Sequence, residues 1–182
     1  HFFSTDSNIE NLSFVLEISK ALKLKKNLLK KTIQKYKGLK YRQQIVFKKK
    51  YLTIINDSKS TSLSSSIGLL TSNTNIYWLL GGIPKKGDKF FLKKKYFKNI
   101  KAYIYGKNKN FFNKTLKSKI EYENFQSLKG ALKRIFKIIK KQKLIHKTIL
   151  FSPCAASFDS FKNFEDRGFY FNKLIKKYLN GI

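Results

Sequence analysis

Six short apolar runs, spaced between residues 45 and 151, constrain this chain more than any other feature. They fall at 45–47, 52–55, 76–80, 102–105, 120–122 and 148–151. The last four have the length and continuous hydrophobicity of strands buried on both faces. The first two flank Lys48-Lys49-Lys50, which suits an antiparallel turn. Helical stretches separate most of the runs. The clearest covers 127–141, with Leu128, Ala131, Leu132, Ile135 and Ile139 on one face. A final helix carries Phe171, Leu174, Ile175, Tyr178 and Leu179, and stops at Asn180-Gly181. Strands alternating with helices specify an α/β fold: a mostly parallel sheet with helices on its flanks.

The first 36 residues follow a different rule. Residues 5–36 read as two helices, the first opening on a capping box at Ser7 and Glu10. Ile9, Leu12, Val15, Leu16 and Leu22 recur at helical spacing, and Leu28, Leu29, Thr32, Ile33 and Tyr36 form a second stripe that Gly38 ends. The serine-rich stretch 58–66 reads as a loop entering a helix at Ile67, Leu69 and Leu70. A boundary near 38–43 divides a helical part, 1–42, from an α/β part, 43–182. The length of 182 residues suits one full domain and part of a second. The chain begins at His1 and has no methionine, so it reads as a piece of a longer product.

Charge is the next constraint. Forty basic residues against 10 acidic ones give +30, which first suggests nucleic acid or an anionic membrane. The basic residues are 37 lysines and only three arginines, Arg42, Arg134 and Arg167. Lysine, asparagine, isoleucine, phenylalanine and tyrosine, all with A/T-rich codons, make 97 of 182 residues. Base readout and phosphate clamping lean on arginine forks, which are scarce here. A solvated lysine surface is the plainer reading. A lysine-rich nucleic-acid-binding module is the alternative, and it requires the lysines to gather on one face. No apolar run approaches the ~18 residues of a membrane helix, and His1-Phe2-Phe3 does not open a signal peptide.

In an open parallel sheet, ligands collect beyond the carboxyl ends of the strands. Three such ends are polar or glycine-rich: Asn56-Asp57-Ser58-Lys59-Ser60-Thr61, Gly81-Gly82-Ile83-Pro84-Lys85, and Ser152-Pro153-Cys154-Ala155-Ala156-Ser157. The fold rule brings all three to one edge. Asp57 is one of ten acids and follows a buried strand. It is either a turn-former or N-cap, or a contact to a nucleotide or a metal-bound phosphate. Lys59 and Lys85 stand out by position, not type. Gly81-Gly82 permits either a tight turn or a close ligand approach. No G-x-x-x-x-G-K-[ST] loop, zinc-ligand spacing or G-x-S-x-G elbow is present. Cys154 is a small buried side chain in this reading, not a nucleophile paired with His146.

Taken together and in order, these segments resemble the C-terminal part of the Mur ligases, and among them the members that add D-glutamate. The carrying segments are Ser7–Asn11 in the sequence SNIEN, Gly38-Leu39-Lys40-Tyr41-Arg42, Ile55 through Thr61, Leu80-Gly81-Gly82 with Lys85, and SPCAASFDSFKNFEDRG from Ser152 to Gly168. The last stretch is the most specific, and order and spacing agree across nearly the whole chain.

The resemblance implies an ATP-dependent ligase of peptidoglycan biosynthesis. Such an enzyme activates UDP-N-acetylmuramoyl-L-alanine as an acyl phosphate, and the D-glutamate amine displaces the phosphate. It implies a Rossmann-like C-terminal domain at 43–182 and the last helices of a central ATP-binding domain at 1–42. The P-loop, the Mg2+ ligands and the uridine-diphosphate site then belong to missing upstream domains. The fragment alone is inactive in this reading, and the full-length protein is a cytoplasmic monomer without membrane or nucleic-acid partners. Matched by position, Asn11, Arg42 and Asp57 would meet the nucleotide. Lys59, Thr61, Lys85, Ser157, Phe158 and Phe164 would form the D-glutamate site. Tyr41 and Ser7 stand where the family usually has histidine, and Ile83-Pro84 replaces a pair that is often acidic-plus-glycine.

Overall fold

A computed structural model describes residues 6–142 and 145–180, and the side chains of Asp6 and Ser7 are not among what it describes. The expected Ser7 cap, the His1-Phe2-Phe3 start and the Gly181 stop therefore lie outside the described residues. The chain divides into two compact units, His1–Leu39 and Lys40–Ile182.

In the first unit, α1 (Asp6–Ala21) and α2 (Lys26–Lys35) form the two expected helices. α2 ends at Tyr36, which turns extended (φ −69°, ψ 117°), two residues before Gly38 with its φ of 81°. The apolar stripes do not form a core. Ile9, Val15, Leu16 and Leu22 of the first stripe are 41–66% exposed, and α2 buries no residue. Two helices of 16 and 10 residues offer each other too little surface to cover both stripes.

In the second unit, β1 (Gln44–Lys49) and β2 (Leu52–Asn56) form an antiparallel hairpin turning at Lys50-Tyr51. There follow α3 (Ile67–Ser72), β3 (Ile76–Leu80), β4 (Ile100–Tyr105), α4 (Lys109–Leu116), β5 (Glu121–Phe125), α5 (Leu128–Lys141), β6 (Lys147–Phe151) and α6 (Phe164–Leu179). The strands form one sheet in the order β1-β2-β6-β3-β4-β5, parallel except for β1. β6 thus inserts between β2 and β3, and chain connections diverge on either side of it. That is the kind of switch point where open α/β sheets hold ligands.

Alternation along the strands supplies two cores. Ile76, Trp78, Leu80, Ala102, Ile104 and Leu150 face α3 and α4 on one side. Leu79, Tyr103, Tyr105, Ile149 and Phe151 face α5 and α6 on the other. Ser127 caps α5 by accepting the Gly130 N–H at 3.2 Å, and Asn163 caps α6 by accepting the Asp166 N–H at 2.8 Å. One strand departs from expectation. β5 is an edge strand with Glu121 and Asn124 exposed, not a strand buried on both faces, and Ile120 lies just before it. Its acids pair outward: Glu121 and Glu123 with Lys101, and Glu123 with Arg134 at 3.0 Å. Among the described residues, no helix is long and apolar enough to cross a membrane.

Candidate functional site: three loops at the carboxyl edge of the sheet

The three loops nominated by sequence meet beyond the carboxyl ends of β2, β3 and β6. Asn56, the last residue of β2, is buried and binds α6: its amide donates to the Gly168 carbonyl (2.9 Å) and to Asn172 Oδ1 (2.8 Å). Its own Oδ1 accepts the Ser58 N–H at 3.0 Å and sets the turn. Asp57 continues the pairing with β6 through its N–H to the Phe151 carbonyl at 2.7 Å.

The Asp57 carboxylate is buried and engaged on both oxygens. Oδ1 accepts the Gln43 N–H at 3.1 Å and Oδ2 accepts the Ser152 hydroxyl at 2.9 Å. Burial pushes this acid up to about 7, against the opposing pull of the Gln43 and Ser152 hydrogen bonds and the charges of Arg42 and Arg167. Its carbonyl also accepts the Ser60 N–H at 2.9 Å, so Asp57 does form a turn. Lys59 donates its N–H to the Tyr41 carbonyl at 3.0 Å, and its ammonium lies 4.0 Å above the Phe164 ring.

The β3 loop is joined to the other two. Ile83 and Ala156 exchange both backbone hydrogen bonds at 2.9 Å, and Gly81 donates to the Pro153 carbonyl at 3.1 Å. Asp88 Oδ2 accepts the Leu63 N–H at 2.6 Å and ties the segment after Lys85 to the segment after Thr61. Asn108, beyond β4, donates to the Gly82 carbonyl at 3.1 Å. Gly81 and Gly82 have φ of 154° and 126°. A Cβ would stand 2.3 Å from the Tyr105 carbonyl oxygen at Gly81, and 2.4 Å from that of Ala156 at Gly82. Close backbone packing therefore accounts for both glycines.

The nominated side chains differ in setting. Ser157 is buried, Phe164 and Lys59 are half-buried, and Thr61, Lys85 and Phe158 are exposed. Arg42 is exposed between Tyr41 (φ 62°) and Gln43 (φ 48°), both left-handed. The Tyr41 side chain packs closely against Gly168: a Cβ there would lie 2.4 Å from Tyr41 Cδ1. Asn11 is exposed on α1, in the other unit. Cys154 is fully buried, donates to the Ser152 carbonyl at 3.2 Å, and has its thiol pushed up to about 12 by burial. That makes it inert toward nucleophilic chemistry. Among the described residues, no group of three or more His, Cys, Asp or Glu could hold a metal ion.

No family model matches this chain. Individual proteins do. It is 33% identical over 175 residues to a UDP-N-acetylmuramoylalanine–D-glutamate ligase of Rickettsia felis, covering 96% of this chain and 39% of that one. It is 35% identical over 173 residues to the ligase of the same name from a Wolbachia of Brugia malayi, covering 94% and 34%. It is 36% identical over 174 residues to that of Francisella tularensis subsp. tularensis, covering 93% and 41%. The chain is homologous to these ligases along nearly its whole length. It matches the C-terminal portion of these D-glutamate ligases and spans 34–41% of their length.

Exposed lysines stand on both sides of the sheet: Lys133, Lys137, Lys173 and Lys176 on α5 and α6, and Lys114, Lys117 and Lys119 at α4. They are not gathered on one face, as the nucleic-acid reading required. Sequence reasoning assigned no role to Ser58, Asn108, Ser152 and Arg167, which hold the loops together. Arg167 carried a signal, because it falls in phase with Phe171, Leu174 and Ile175 on the buried stripe of α6.

Proposed function

We propose that this chain supplies the D-glutamate-binding part of an ATP-dependent ligase acting on UDP-N-acetylmuramoyl-L-alanine in peptidoglycan synthesis. The observation that carries the proposal is the convergence of the three loops after β2, β3 and β6, in a chain homologous to D-glutamate ligases. D-glutamate brings two carboxylates, which call for converging cationic and hydroxyl donors. Lys59 and Thr61 on the first loop, Lys85 on the second and Ser157 on the third are such donors. Phe158 and Phe164 enclose the apolar stem. Lys59, held over the Phe164 ring, is oriented before ligand arrives.

In the reaction, a carboxylate oxygen of the alanyl substrate attacks the γ-phosphorus of ATP, and ADP leaves. The D-glutamate amine then attacks the acyl carbon, the carbon–oxygen bond to phosphate breaks, and the amine loses a proton. Asn11, Arg42 and Asp57 would take the nucleotide. Exposed Arg42 offsets phosphate charge, and the Asp57 oxygens, each using one acceptor site, retain capacity for ribose hydroxyls. Residues 1–42 are then the end of the central ATP-binding domain and 43–182 the C-terminal domain. The P-loop and the Mg2+ ligands lie on other parts of the enzyme, and closing over the acyl phosphate excludes water. The same reading makes the full-length protein a cytoplasmic monomer.

Two assays test this. ADP release by the 182-residue chain, given ATP, Mg2+ and both substrates, is expected to stay at background; turnover above it overturns this division of labour. Calorimetric titration with D-glutamate is expected to give saturable heat that Lys85→Ala abolishes. A folded chain that takes up no D-glutamate overturns the site.

A further inference from the structure

We infer that Arg167 is a positioning residue that holds the loops of the D-glutamate site in register without touching substrate. This rests on the proposed function for the identity of the ligand, but not for the geometry. Arg167 is 1% exposed, an unusual setting for a charged side chain. Its Nε donates to Ser58 Oγ at 3.1 Å, and one terminal nitrogen donates to the Ser58 carbonyl at 2.7 Å and the Ala155 carbonyl at 2.9 Å. Ser58 Oγ in turn donates to the Phe164 carbonyl at 2.8 Å, closing the ring back onto α6. The other terminal nitrogen lies 3.1 Å from where a Cβ on Gly82 would stand. One side chain thus bonds the β2 and β6 loops and packs against the β3 loop.

Asp57 and Asp159 feel the Arg167 charge through space, but the hydrogen bonds of its guanidinium go to loop oxygens. No carboxylate makes a salt bridge with Arg167 among the described residues. Its Nε and one terminal nitrogen donate to carbonyl and hydroxyl oxygens of loop residues, an arrangement that a planar fork serves and a lysine does not. The fork sets three spacings at once: Ser58 next to Lys59, Ala155 two residues before Ser157, and Gly82 three before Lys85. A ligand with two carboxylates needs its donors held to a fraction of an ångström, so small shifts of these loops should weaken binding more than they weaken the fold.

The test uses the 182-residue chain, with Arg167→Met and Arg167→Lys. Amide hydrogen exchange is read at Lys59, whose N–H is bonded to the Tyr41 carbonyl, at Ile83 and Ala156, whose N–H groups are bonded across two of the loops, and at β4 and α5 as internal reference. D-glutamate affinity is read by calorimetry. Arg167→Met is expected to speed exchange at the three loop amides at least tenfold while β4 and α5 stay within threefold, and to weaken D-glutamate at least tenfold. Arg167→Lys is expected to fall between the two, and it carries both readouts if the methionine variant does not fold. Equal acceleration everywhere makes Arg167 a general stability residue and overturns the proposal, as does unchanged loop exchange. If the wild-type chain binds no D-glutamate, the ligand assignment falls, and the exchange pattern alone decides for or against the strut.

Discussion

Both units of this chain carry periodic apolar stretches, with opposite outcomes. In the second unit, Trp78, Leu79, Leu80, Ile104, Ile149 and Leu150 are fully buried between a sheet and two helix layers. In the first, Phe14, Ile18, Leu22 and Leu28 are 60–66% exposed. Periodicity alone therefore does not make a core. A stripe is buried when the topology provides an opposing surface, and six strands with helices on both faces provide one that a helix pair cannot. The contrast predicts where substitutions will be felt.

The largest effect is expected at the centre of the second unit. Trp78→Ala removes a ring 5.7 Å from Phe90 and the bond from Nε1 to the Ser152 carbonyl at 2.9 Å. Equilibrium urea unfolding should show a loss of about 3–5 kcal/mol. Gly82→Ala comes next, because its Cβ meets the Ala156 carbonyl oxygen at 2.4 Å with φ at 126°. A loss of about 2 kcal/mol or more is expected, with faster exchange at the Ile83 and Ala156 amides. At the low end, Leu16→Ser in the exposed stripe should move the unfolding midpoint of the second unit by less than about 0.5 kcal/mol. A loss as large as that of Trp78→Ala would contradict the contrast.

Asp57 gives a prediction with a sign. Its folded-state value near 7 stands above its ordinary 3.8. Between those values the folded protein holds a proton that the unfolded chain has released. Stability from this group is therefore greatest at the acid end, falls as pH rises from about 4 to about 7, and levels off above. Asp57→Asn keeps an oxygen for the Gln43 N–H and offers an N–H to Ser152. It should be more stable than wild type at pH 8, with the gap narrowing toward pH 5. A gap that widens toward acid would contradict the buried-carboxylate account.

The comparison also shows what could be read in advance. Strands β2, β3, β4 and β6 were legible because double-sided burial leaves continuous apolar runs. β5 was legible as a strand but not as an edge, since Lys101 and Arg134, the partners of its acids, lie elsewhere in sequence. The insertion of β6 between β2 and β3 has no local signature at all. In the site, scarcity and strand-end position pointed to Asp57, yet its engagement by Gln43 and Ser152 depends on chain segments 14 and 95 residues away. The family resemblance named Lys85, Ser157 and Thr61; only the folded chain shows that their loops are bonded to one another. The strut from Arg167 went unread because its phase on α6 looks like an error in an apolar stripe until its three oxygen partners are seen.

The most direct test of the central claim is to titrate the isotopically labelled 182-residue chain with D-glutamate, then with L-glutamate, and map amide shifts by NMR. The account predicts saturable shifts confined to the loops carrying Lys59, Thr61, Lys85 and Ser157, with L-glutamate at least tenfold weaker. Shifts that are absent, that scatter over the lysine-rich helix faces, or that are equal for both enantiomers would contradict it.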